Sequence, residues 1–379
     1  MKQITTRILA MGIVAFSFLA PTAHAQKLPA RKKTLAALRL TNQYFMNKWP
    51  DAGKTIITNK ERPSNIWTRA VYYEGLMALN DVDPKKEYVD YAVQWGDKHK
   101  WGLNGGVNTR NADNQACGQT YIDLYLIDQK PERIKDIKAS IDNMVTSEKA
   151  DDWNWIDALQ MGMPVMTRLG VLYKDTSYFR KMYDLYAFSK YKHGGKGLYN
   201  AAEGLWWRDK DFVPPYKEPN GDDCYWSRGN GWVVAALVRT LELLPKSDPH
   251  YQEYFNDYLA MCNALLPLQR TDGYWNVSLQ DPTHFGGKEA TGTSLFVYGF
   301  AWGVRNGLLD AKTYKPVIAK AWSALLKESV HPNGFLGWVQ GTGKEPKDGQ
   351  PVSYTSMPDF EDYGLGCFLL AGSEVLKMK

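Results

Sequence analysis

The feature that most constrains this chain is a helical hydrophobic periodicity that recurs in pairs of segments along its length. One segment of each pair is charged and amphipathic, as expected for a helix with one face in water. These segments are 28–48, 84–100, 131–147, 176–191, 248–269 and 311–328. The other segment is rich in Ala, Gly and aromatic residues, as expected for a buried helix, and these are 66–80, 114–127, 155–170, 229–244, 291–306 and 362–377. Because strand patterns are almost absent, the sequence predicts an all-α fold of six helical hairpins.

The connections between the predicted helices differ at the two ends of each hairpin. Long loops rich in Gly, aromatic and polar residues, such as "WGLNGGVNTRNADNQ" and "GDDCYWSRGN", precede the buried helices. Short turns with helix-start signals, such as "NDVDP" and "PKSDP", follow them. The long loops therefore gather at one end, where function normally lies over a rigid scaffold. The simplest closed arrangement is an (α/α)6 barrel with its cleft at the N-terminal ends of the inner helices. An open helical solenoid is the alternative, but the repeat length is irregular and no consensus recurs.

Residues 1–25 have the pattern of a signal peptide. Lys2 and Arg7 form a basic start, "ILAMGIVAFSFLA" is an apolar core too short to span a membrane permanently, and "AHA" at 23–25 is a small-residue cleavage site. No Cys follows that site, which argues against a lipoprotein anchor. We expect residues 26–379 to form a single exported catalytic domain without a membrane anchor, and we favour the bacterial periplasm over full secretion.

Charge and cysteine usage narrow the expected partners. The formal net charge of +5 falls to +3 without Lys2 and Arg7, and the basic residues are spread along the chain, so nucleic acid is not an expected partner. The four Cys, at 117, 224, 262 and 367, lack the spacing of a zinc site. Export permits disulfides, yet buried free thiols are an interpretation at least as good. No metal or organic cofactor is expected, and nothing indicates the oligomeric state.

The cleft end of such a barrel should collect aromatic rings, carboxylates and one Arg. The side chains that the predicted helix starts and loops place there are Trp67, Asp113, Asn114, Trp153, Trp155, Asp157, Trp226, Arg228, Asn230, Trp232, His284, Thr291, Thr293, Asp359 and Asp362. No Ser-His-Asp order, no phosphate-binding Gly loop and no His pair at metal-ligand spacing accompanies them. Rings stack on sugar faces and carboxylates transfer protons, so the set points to carbohydrate chemistry.

Several of these residues also have a purely structural interpretation. Asp157 begins an apolar helical run just after Trp153 and Trp155. A carboxylate there either favours the helix dipole or acts as a catalytic acid in an aromatic pocket. Asp113 could simply cap the helix that follows it. Arg228 could stack on the Trp ring two residues earlier at the surface.

Five segments together resemble a known group of glycoside hydrolases. They are "NIWTRAVYYEGLMAL", "NADNQACGQTYIDLY", "WIDALQMGMPVMTRLG", "DCYWSRGNGWVVAALVRTLELLP" and "EATGTSLFVYGFAWGV", in that order. They are similar to the unsaturated rhamnogalacturonyl hydrolases of glycoside hydrolase family 105 and the related unsaturated glucuronyl hydrolases of family 88. The resemblance spans about residues 35–375, and the "RGNGW" form favours the rhamnogalacturonyl branch.

The resemblance implies an (α/α)6 barrel that removes a 4,5-unsaturated uronic acid from the non-reducing end of lyase-made oligosaccharides, of the rhamnogalacturonan type. It implies that Asp157, in the "WIDA" motif, is the general acid and base and that Asp113 assists at the sugar. Trp226 and Arg228 match the family's substrate-contacting "W-x-R" segment. We expect the substrate-binding cleft to be completed by Trp67, Trp155, Asn230, Trp232, Thr291 and Thr293.

The chain departs from the family pattern at one place. Members often carry a His in a "GLYxH" segment, whereas Asn200 stands at that point here. The insertion "WWRDKDFVPPYKEPNGDD" follows it. This departure leaves the exact substrate, and any role of a His, open.

The expected chemistry is the hydration of a vinyl ether. Asp157 would protonate C4 and then, as a carboxylate, deprotonate the water that adds at C5, after which the hemiketal opens. Trp153 and Trp155 would raise the pKa of Asp157 by desolvation, and Arg228 would hold the substrate carboxylate by paired hydrogen bonds. The alternatives are a glycosidase or epimerase that acts on saturated sugars with a second carboxylate, and a non-catalytic glycan-binding protein.

Overall fold

The computed structural model of the protein describes residues 27–57, 61–355 and 362–378. The expected signal peptide, residues 1–25, and Asp359 lie outside the described residues. Within the described ranges, no helix combines the length and the apolarity that crossing a membrane requires.

Helices alternate between an outer and an inner ring along the described chain. The outer helices are α1 (Arg31–Lys48), α3 (Lys86–Lys98), α6 (Glu132–Val145), α8 (Thr176–Tyr191), α10 (Tyr251–Leu265) and α12 (Ala311–Ala324). The inner helices are α2 (Trp67–Val82), the short α4 (Ala112–Gln115) that runs into α5 (Cys117–Asp128), α7 (Asp157–Tyr173), α9 (Ser227–Leu241), α11 (Ala290–Arg305) and α13 (Asp362–Lys377). The predicted hairpins and their order are confirmed.

The remaining elements are short and lie between the helices. Two antiparallel pairs of two-residue strands are formed by β1 (Ile56–Ile57) with β2 (Glu61–Arg62) and by β3 (Tyr199–Asn200) with β4 (Leu205–Trp206). Short helical turns cover His193–Gly195, Leu266–Leu268 and Leu325–Ser329. The last two continue α10 and α12, which is why the predicted segments 248–269 and 311–328 are longer than those helices.

The helices close into a double ring. Each inner helix packs on the next, in the order α2, α5, α7, α9, α11 and α13, and α13 returns to pack on α2. The outer helices α1, α3, α6, α8, α10 and α12 pack on α13, α2, α5, α7, α9 and α11 in turn. This arrangement confirms the (α/α)6 barrel and excludes the open solenoid, because the last inner helix contacts the first.

Glycines allow α2 and α13 to touch where the ring closes. A Cβ on Gly366 would lie 2.1 Å from the carbonyl oxygen of Val71, and a Cβ on Gly75 would lie 2.5 Å from that of Gly366. Just above this contact, Arg69 Nε donates to Asp362 Oδ2 at 2.9 Å, and both side chains are almost completely buried. Backbone contact and a buried ion pair therefore fix one helix against the other.

Side-chain caps fix several helix starts. The carboxylates of Asp175, Glu289 and Asp310 accept hydrogen bonds from backbone N–H groups in the first turns of α8, α11 and α12. Such caps satisfy donors that a helix start otherwise leaves unpaired. They fix where each helix begins, and of the three only Glu289 does so at the cleft end, because α8 and α12 are outer helices.

A polar network crosses the barrel interior below the cleft end. Glu74 on α2 is buried, and its Oε2 accepts a hydrogen bond from Gln160 Nε2 at 2.9 Å. Arg239 Nε lies 3.9 Å from the same oxygen. Burial raises the pKa of Glu74 to about 7, although the charges of Arg239 and Arg168 lower it. The inner helices thus enclose an acid that can bind a proton near neutral pH.

The described residues include all four Cys. Each thiol is buried and free, so none forms a disulfide. Of the two interpretations that the sequence left open, the structure supports buried free thiols.

The closure of the ring predicts a large cost for one added methyl group. Gly366→Ala should lower the free energy of unfolding by about 3 kcal/mol, because the contacting atoms belong to the backbone of α2 and cannot move independently. Denaturant unfolding of the purified protein measures this. Gly221→Ala is the matched control: it has a φ of +91° with nothing near its Cβ, so only backbone strain of about 1 kcal/mol is expected. Equal losses in the two variants would contradict the role assigned to Gly366.

Candidate active site

A cavity of about 440 Å³ opens at the N-terminal ends of the inner helices. It is lined by Arg62, Ile66, Trp67, Asp113, Trp155, Asp157, Arg208, Trp226, Trp232, Thr342, Gly343, Asp348 and Gly349. Its volume lies within the range of about 300–1,000 Å³ that small-molecule sites occupy. The cavity lies at the end where the long loops gather, as the sequence predicts.

Asp157, the first residue of α7, projects into this cavity from a buried position. Its residue surface is 8% exposed. Trp155 lines the cavity beside it, whereas Trp153 is fully buried. Desolvation raises the pKa of Asp157, and the charge of Arg208 opposes that rise. The burial that the sequence predicts for this carboxyl is present, together with a cation that the sequence did not predict.

Arg208 is held against Asp157 by the chain that follows β4. Its Nε and Nη2 donate to Asp157 Oδ2 at 3.0 and 2.8 Å, and its Nη1 donates to Asp209 Oδ2 at 2.7 Å. The backbone of Ile156 donates to the carbonyl of Arg208 at 2.9 Å, which fixes the two segments together. The other oxygen, Asp157 Oδ1, is buried and accepts no hydrogen bond from the described residues. One oxygen is therefore anchored, and the other is buried without a hydrogen-bond partner among the described residues.

Asp113 faces the same cavity from α4. The interpretation that it caps this helix is wrong, because Asn111 is the cap and its side chain accepts from the backbone N–H of Asp113 at 2.8 Å. The Asp113 carboxyl is partly open to the cavity but otherwise surrounded by protein. Desolvation and the nearby charge of Asp157 raise its pKa to about 7, while Arg208 and Arg62 lower it. Two carboxyls thus share one site and can hold a proton near neutral pH.

Four predicted aromatic residues line the cavity. They are Trp67, Trp155, Trp226 and Trp232. Trp67 and Trp232 meet edge to face, with ring centroids 6.2 Å apart. Trp226 is oriented by its Nε1, which donates to Gln340 Oε1 at 2.9 Å. The rings give the cavity apolar walls around its charged groups.

Arg228 does not line the cavity. It is fully buried, and its Nη1 and Nη2 donate to the carbonyls of Gln340 and Gly341 at 2.7 and 2.8 Å. Its guanidinium carbon lies 4.5 Å from the ring centroid of Trp226, so the stack is internal rather than at the surface. This placement does not support the expectation that Arg228 binds a substrate carboxylate. It makes Arg228 a support for Trp226 and for the loop at 340–341.

Three other predicted binding residues are likewise buried and bonded within the fold. Asn230 bonds the backbone N–H and carbonyl of Trp206 through its side-chain amide, at 2.9 and 3.0 Å. Thr293 Oγ1 accepts from the backbone of Trp275 at 3.1 Å. Thr291 donates its hydroxyl to Glu289. None of the three lines the cavity. In the first turns of α9 and α11, these side chains form hydrogen bonds within the protein instead.

The remaining residues expected at the cleft end also serve other contacts. Asn114 bonds Asn104, Asp362 pairs with Arg69, and His284 contacts Glu218. At the point of departure from the family pattern, Asn200 Nδ2 donates to Tyr225 Oη at 2.8 Å and does not line the cavity.

Two arginines and one loop of the cavity were missed by the sequence analysis. Arg208 lies within the insertion, in the segment "WWRD". This segment repeats the "W-x-R" spacing of Trp226 and Arg228, so the sequence did contain a pattern that could have indicated Arg208 as a cavity residue. Arg62 lies at the end of β2 and Asp348 in the loop before α13, and no pattern marks either residue. Arg62 and Arg208 give the cavity cationic groups, whereas Arg228, the one Arg of the predicted set, does not line it.

The chain is similar to known proteins over most of its length. The model of Glycosyl Hydrolase Family 88 matches residues 38–379. An unsaturated 3S-rhamnoglycuronyl hydrolase of Formosa agariphila is 32% identical over 334 residues, which cover 83% of this chain and 85% of that protein. A protein of the same name from Alteromonas sp. is 31% identical over 341 residues, covering 84% of this chain and 79% of that one.

The fold is similar to that of a solved relative. The structure of a glycosyl hydrolase of family 88 from Bacteroides vulgatus superposes with a TM-score of 0.83 at 30% identity, covering 92% of this chain and 99% of that one. The resemblance to families 105 and 88 is confirmed, with family 88 as the family whose model matches. The chain therefore belongs to glycosyl hydrolase family 88 and is a glycoside hydrolase.

Proposed function

We propose that the protein removes a 4,5-unsaturated uronic acid from the non-reducing end of oligosaccharides produced by polysaccharide lyases. The observation that carries the proposal is the pair of carboxyls in the aromatic cavity. Asp157 keeps one buried oxygen free of hydrogen bonds from the described residues, and the pKa of Asp113 beside it is raised to about 7. A proton donor that works at neutral pH is what the addition of water to a vinyl ether requires.

The reaction can be written with Asp157 as both acid and base. Its proton passes to C4 of the unsaturated ring, and positive, oxocarbenium-like charge develops at C5. Water adds at C5 and gives its proton to the Asp157 carboxylate, which restores the acid. The resulting hemiketal opens to a ketone at C5 and leaves a hemiacetal at C1. That hemiacetal collapses to an aldehyde, which breaks the glycosidic bond and releases the next sugar with a free hydroxyl group. Because the anomeric centre is not attacked, the separation of two carboxylates does not determine retention or inversion here.

Asp113 and Arg208 set the proton affinity of Asp157 in opposite directions. A second carboxylate disfavours the loss of the proton, and a paired guanidinium favours it. The hydrogen bonds from Arg208 to Oδ2 fix the plane of the Asp157 carboxyl group. We assign proton transfer to Oδ1, which has no hydrogen-bond partner among the described residues. Asp157 can thus act first as an acid and then as a base.

The substrate is held, in our proposal, by the ring walls and by Arg62. Trp67, Trp155, Trp226 and Trp232 offer faces or edges for the sugars. Arg62 lines the same cavity, so we assign the uronate carboxylate to it rather than to the buried Arg228. A guanidinium matches a carboxylate with two parallel hydrogen bonds.

We propose rhamnose as the sugar that follows the uronic acid. The support is that two relatives above 30% identity are named unsaturated 3S-rhamnoglycuronyl hydrolases. The signal-peptide pattern of residues 1–25 supports export to the periplasm, which fractionation of the producing cells would test.

Activity is tested by following the ultraviolet absorbance of the conjugated double bond, which hydration removes. Wild-type protein should remove the signal from lyase fragments whose unsaturated uronic acid is linked to rhamnose. Fragments with and without a 3-sulfate on that rhamnose, lyase-cut rhamnogalacturonan and glycosaminoglycan fragments form the panel. Absence of turnover on all four, with turnover of saturated oligosaccharides, would point instead to an ordinary glycosidase.

Asp157→Asn should lower kcat about 10²–10⁴-fold, because the amide can neither donate the proton to C4 nor accept one from water. The measurement is the initial rate of absorbance loss at saturating substrate. Asp310→Asn is the matched control. Asp310 is an exposed N-cap of α12, and Asn caps a helix as well as Asp does, so this variant should keep the wild-type rate. Near-normal turnover by a folded Asp157→Asn protein rules out the assigned role.

Asp113→Asn should move the alkaline limb of kcat/KM to lower pH by about one unit. In the wild type, the pair loses its last proton near pH 7, because desolvation and mutual repulsion raise the upper apparent pKa. Without the second carboxylate, Asp157 loses its proton at lower pH, so the acid form becomes scarce earlier. A pH–rate profile of both proteins measures the shift, and coincident alkaline limbs would show that the two carboxyls are not coupled.

Arg62→Gln should raise KM about tenfold or more with a smaller change in kcat, because a charge-assisted hydrogen bond to the substrate carboxylate is lost. Steady-state rates over a range of substrate concentrations separate the two constants. Arg39→Gln, which removes a partly exposed guanidinium paired with Asp83 outside the cavity, is the control. If both variants keep the wild-type KM, Arg62 does not bind the carboxylate.

A further inference from the structure

Three potential metal ligands from two different loops meet outside the catalytic cavity. Glu218 lies in the insertion after β4, and Asp281 and His284 lie in the loop before α11. One ligand atom from each of the three residues lies within 4.8 Å of the other two. Glu218 is more than 60 residues from the other two in sequence, so the fold, not local spacing, brings it to them.

Hydrogen bonds from neighbouring residues orient both carboxylates. Glu218 Oε1 accepts from Ser278 Oγ at 2.8 Å, and Glu218 Oε2 contacts His284 Nδ1. Asp281 Oδ1 accepts from the backbone and hydroxyl of Thr283 at 2.9 and 2.6 Å. Asp281 Oδ2 has only a long contact of 3.2 Å with the backbone of Asn220. Orientation of ligands by outer partners is what protein metal sites require.

The charge balance of this cluster favours a bound cation. The side chain of Glu218 is fully buried and Asp281 is 0% exposed. Among the described residues neither carboxylate forms an ion pair with Lys or Arg, and His284 is the one basic group in contact. Burying two carboxylates against at most one imidazolium is costly. A divalent ion would neutralise both carboxylates and would bind the neutral imidazole.

The ligand types in the cluster indicate which ion fits it. Imidazole nitrogen and carboxylate oxygen are ligand types that Zn²⁺ takes, whereas Ca²⁺ and Mg²⁺ take oxygen alone. The His284 side chain is 21% exposed, so an ion from solution can reach the site.

We propose that Glu218, Asp281 and His284 bind one divalent transition-metal ion of the zinc type. The ion joins the insertion, which also carries Arg208, to the loop before α11. Backbone hydrogen bonds already connect the same two segments, such as Leu279 N–H to the carbonyl of Tyr225 at 3.0 Å. The site is structural: it fixes the insertion to the barrel and takes no part in the hydration reaction.

The test starts from chelator-treated full-length protein titrated with Zn²⁺ by calorimetry. The wild type should bind one ion per chain, and saturation at a hundred-fold excess over Kd should raise Tm by about 3–5 °C. Glu218→Gln and His284→Ala should each weaken binding more than about 100-fold, since losing outer partners of a ligand alone costs about 10–100-fold. His193→Ala, a partly exposed His outside the cluster, is the matched control and should bind as the wild type does.

Cobalt substitution gives a second readout that needs no variant. Co²⁺ added to metal-free wild-type protein should give strong visible bands of a low-symmetry site held by three protein ligands. Absence of Zn²⁺ binding by the wild type, or equal binding by wild type and His284→Ala, would overturn the proposal and leave an ordinary His–Glu ion pair. Asp157→Asn should bind the ion normally, so loss of catalysis and loss of metal are distinguishable.

Discussion

The closure of the inner ring at α2 and α13 is the constraint on which the rest of the structure depends. Two glycines let the backbones touch, and the buried pair of Arg69 and Asp362 fixes the angle between the helices. The cavity is formed by the N-terminal ends of the inner helices and their loops, so its diameter follows from how tightly this ring closes. A ring that opened here would separate Trp67 on α2 from the loop before α13.

Within that ring, the chemistry that we propose depends on two similar acids in different surroundings. Asp157 is anchored on one oxygen by Arg208, whereas the charges near Asp113 act over longer distances and its pKa rises to about 7. Desolvation raises the pKa of both carboxyls, and the charge of Arg208 opposes the rise in both. Pairs of titratable groups whose environments separate their pKa values are a recurring means of acid–base catalysis near pH 7.

Most of the fold and about half of the residues that line the cavity can be predicted from the sequence. Helix periodicity and loop lengths predict the double ring because each hairpin buries one face through local pattern alone. Asp157, Asp113 and the four cavity Trp residues follow from the same reasoning, since they stand at helix starts. Arg228, Thr291 and Thr293 also lie at helix starts, but their side chains form hydrogen bonds within the protein. Sequence position alone does not distinguish a residue that lines the cavity from one that bonds within the fold.

The groups that the sequence analysis missed depend on how loops fold over one another. Arg208 reaches Asp157 only because the chain after β4 bonds to the backbone of Ile156. Glu218 and His284 meet across a separation of 66 residues, so no spacing rule for metal ligands could find them, and the absence of such a site was expected from the sequence. Contacts between two irregular segments have no periodic signature, unlike contacts between helices.

Glu74 gives the barrel a further proton-binding group, below the cleft and apart from Asp113 and Asp157. Its pKa of about 7 lies above the usual value for Glu, so the folded protein holds a proton that the unfolded chain releases between about pH 4.5 and 7. Stability contributed by this group is therefore greatest at the acidic end of that window and falls as the pH rises through it. Since Asp113 titrates in the same range, activity lost on long incubation at alkaline pH combines two processes. One is reversible deprotonation in the cleft, and the other is the loss of the stability that protonated Glu74 contributes. The second loss persists after return to neutral pH only if the protein has unfolded irreversibly.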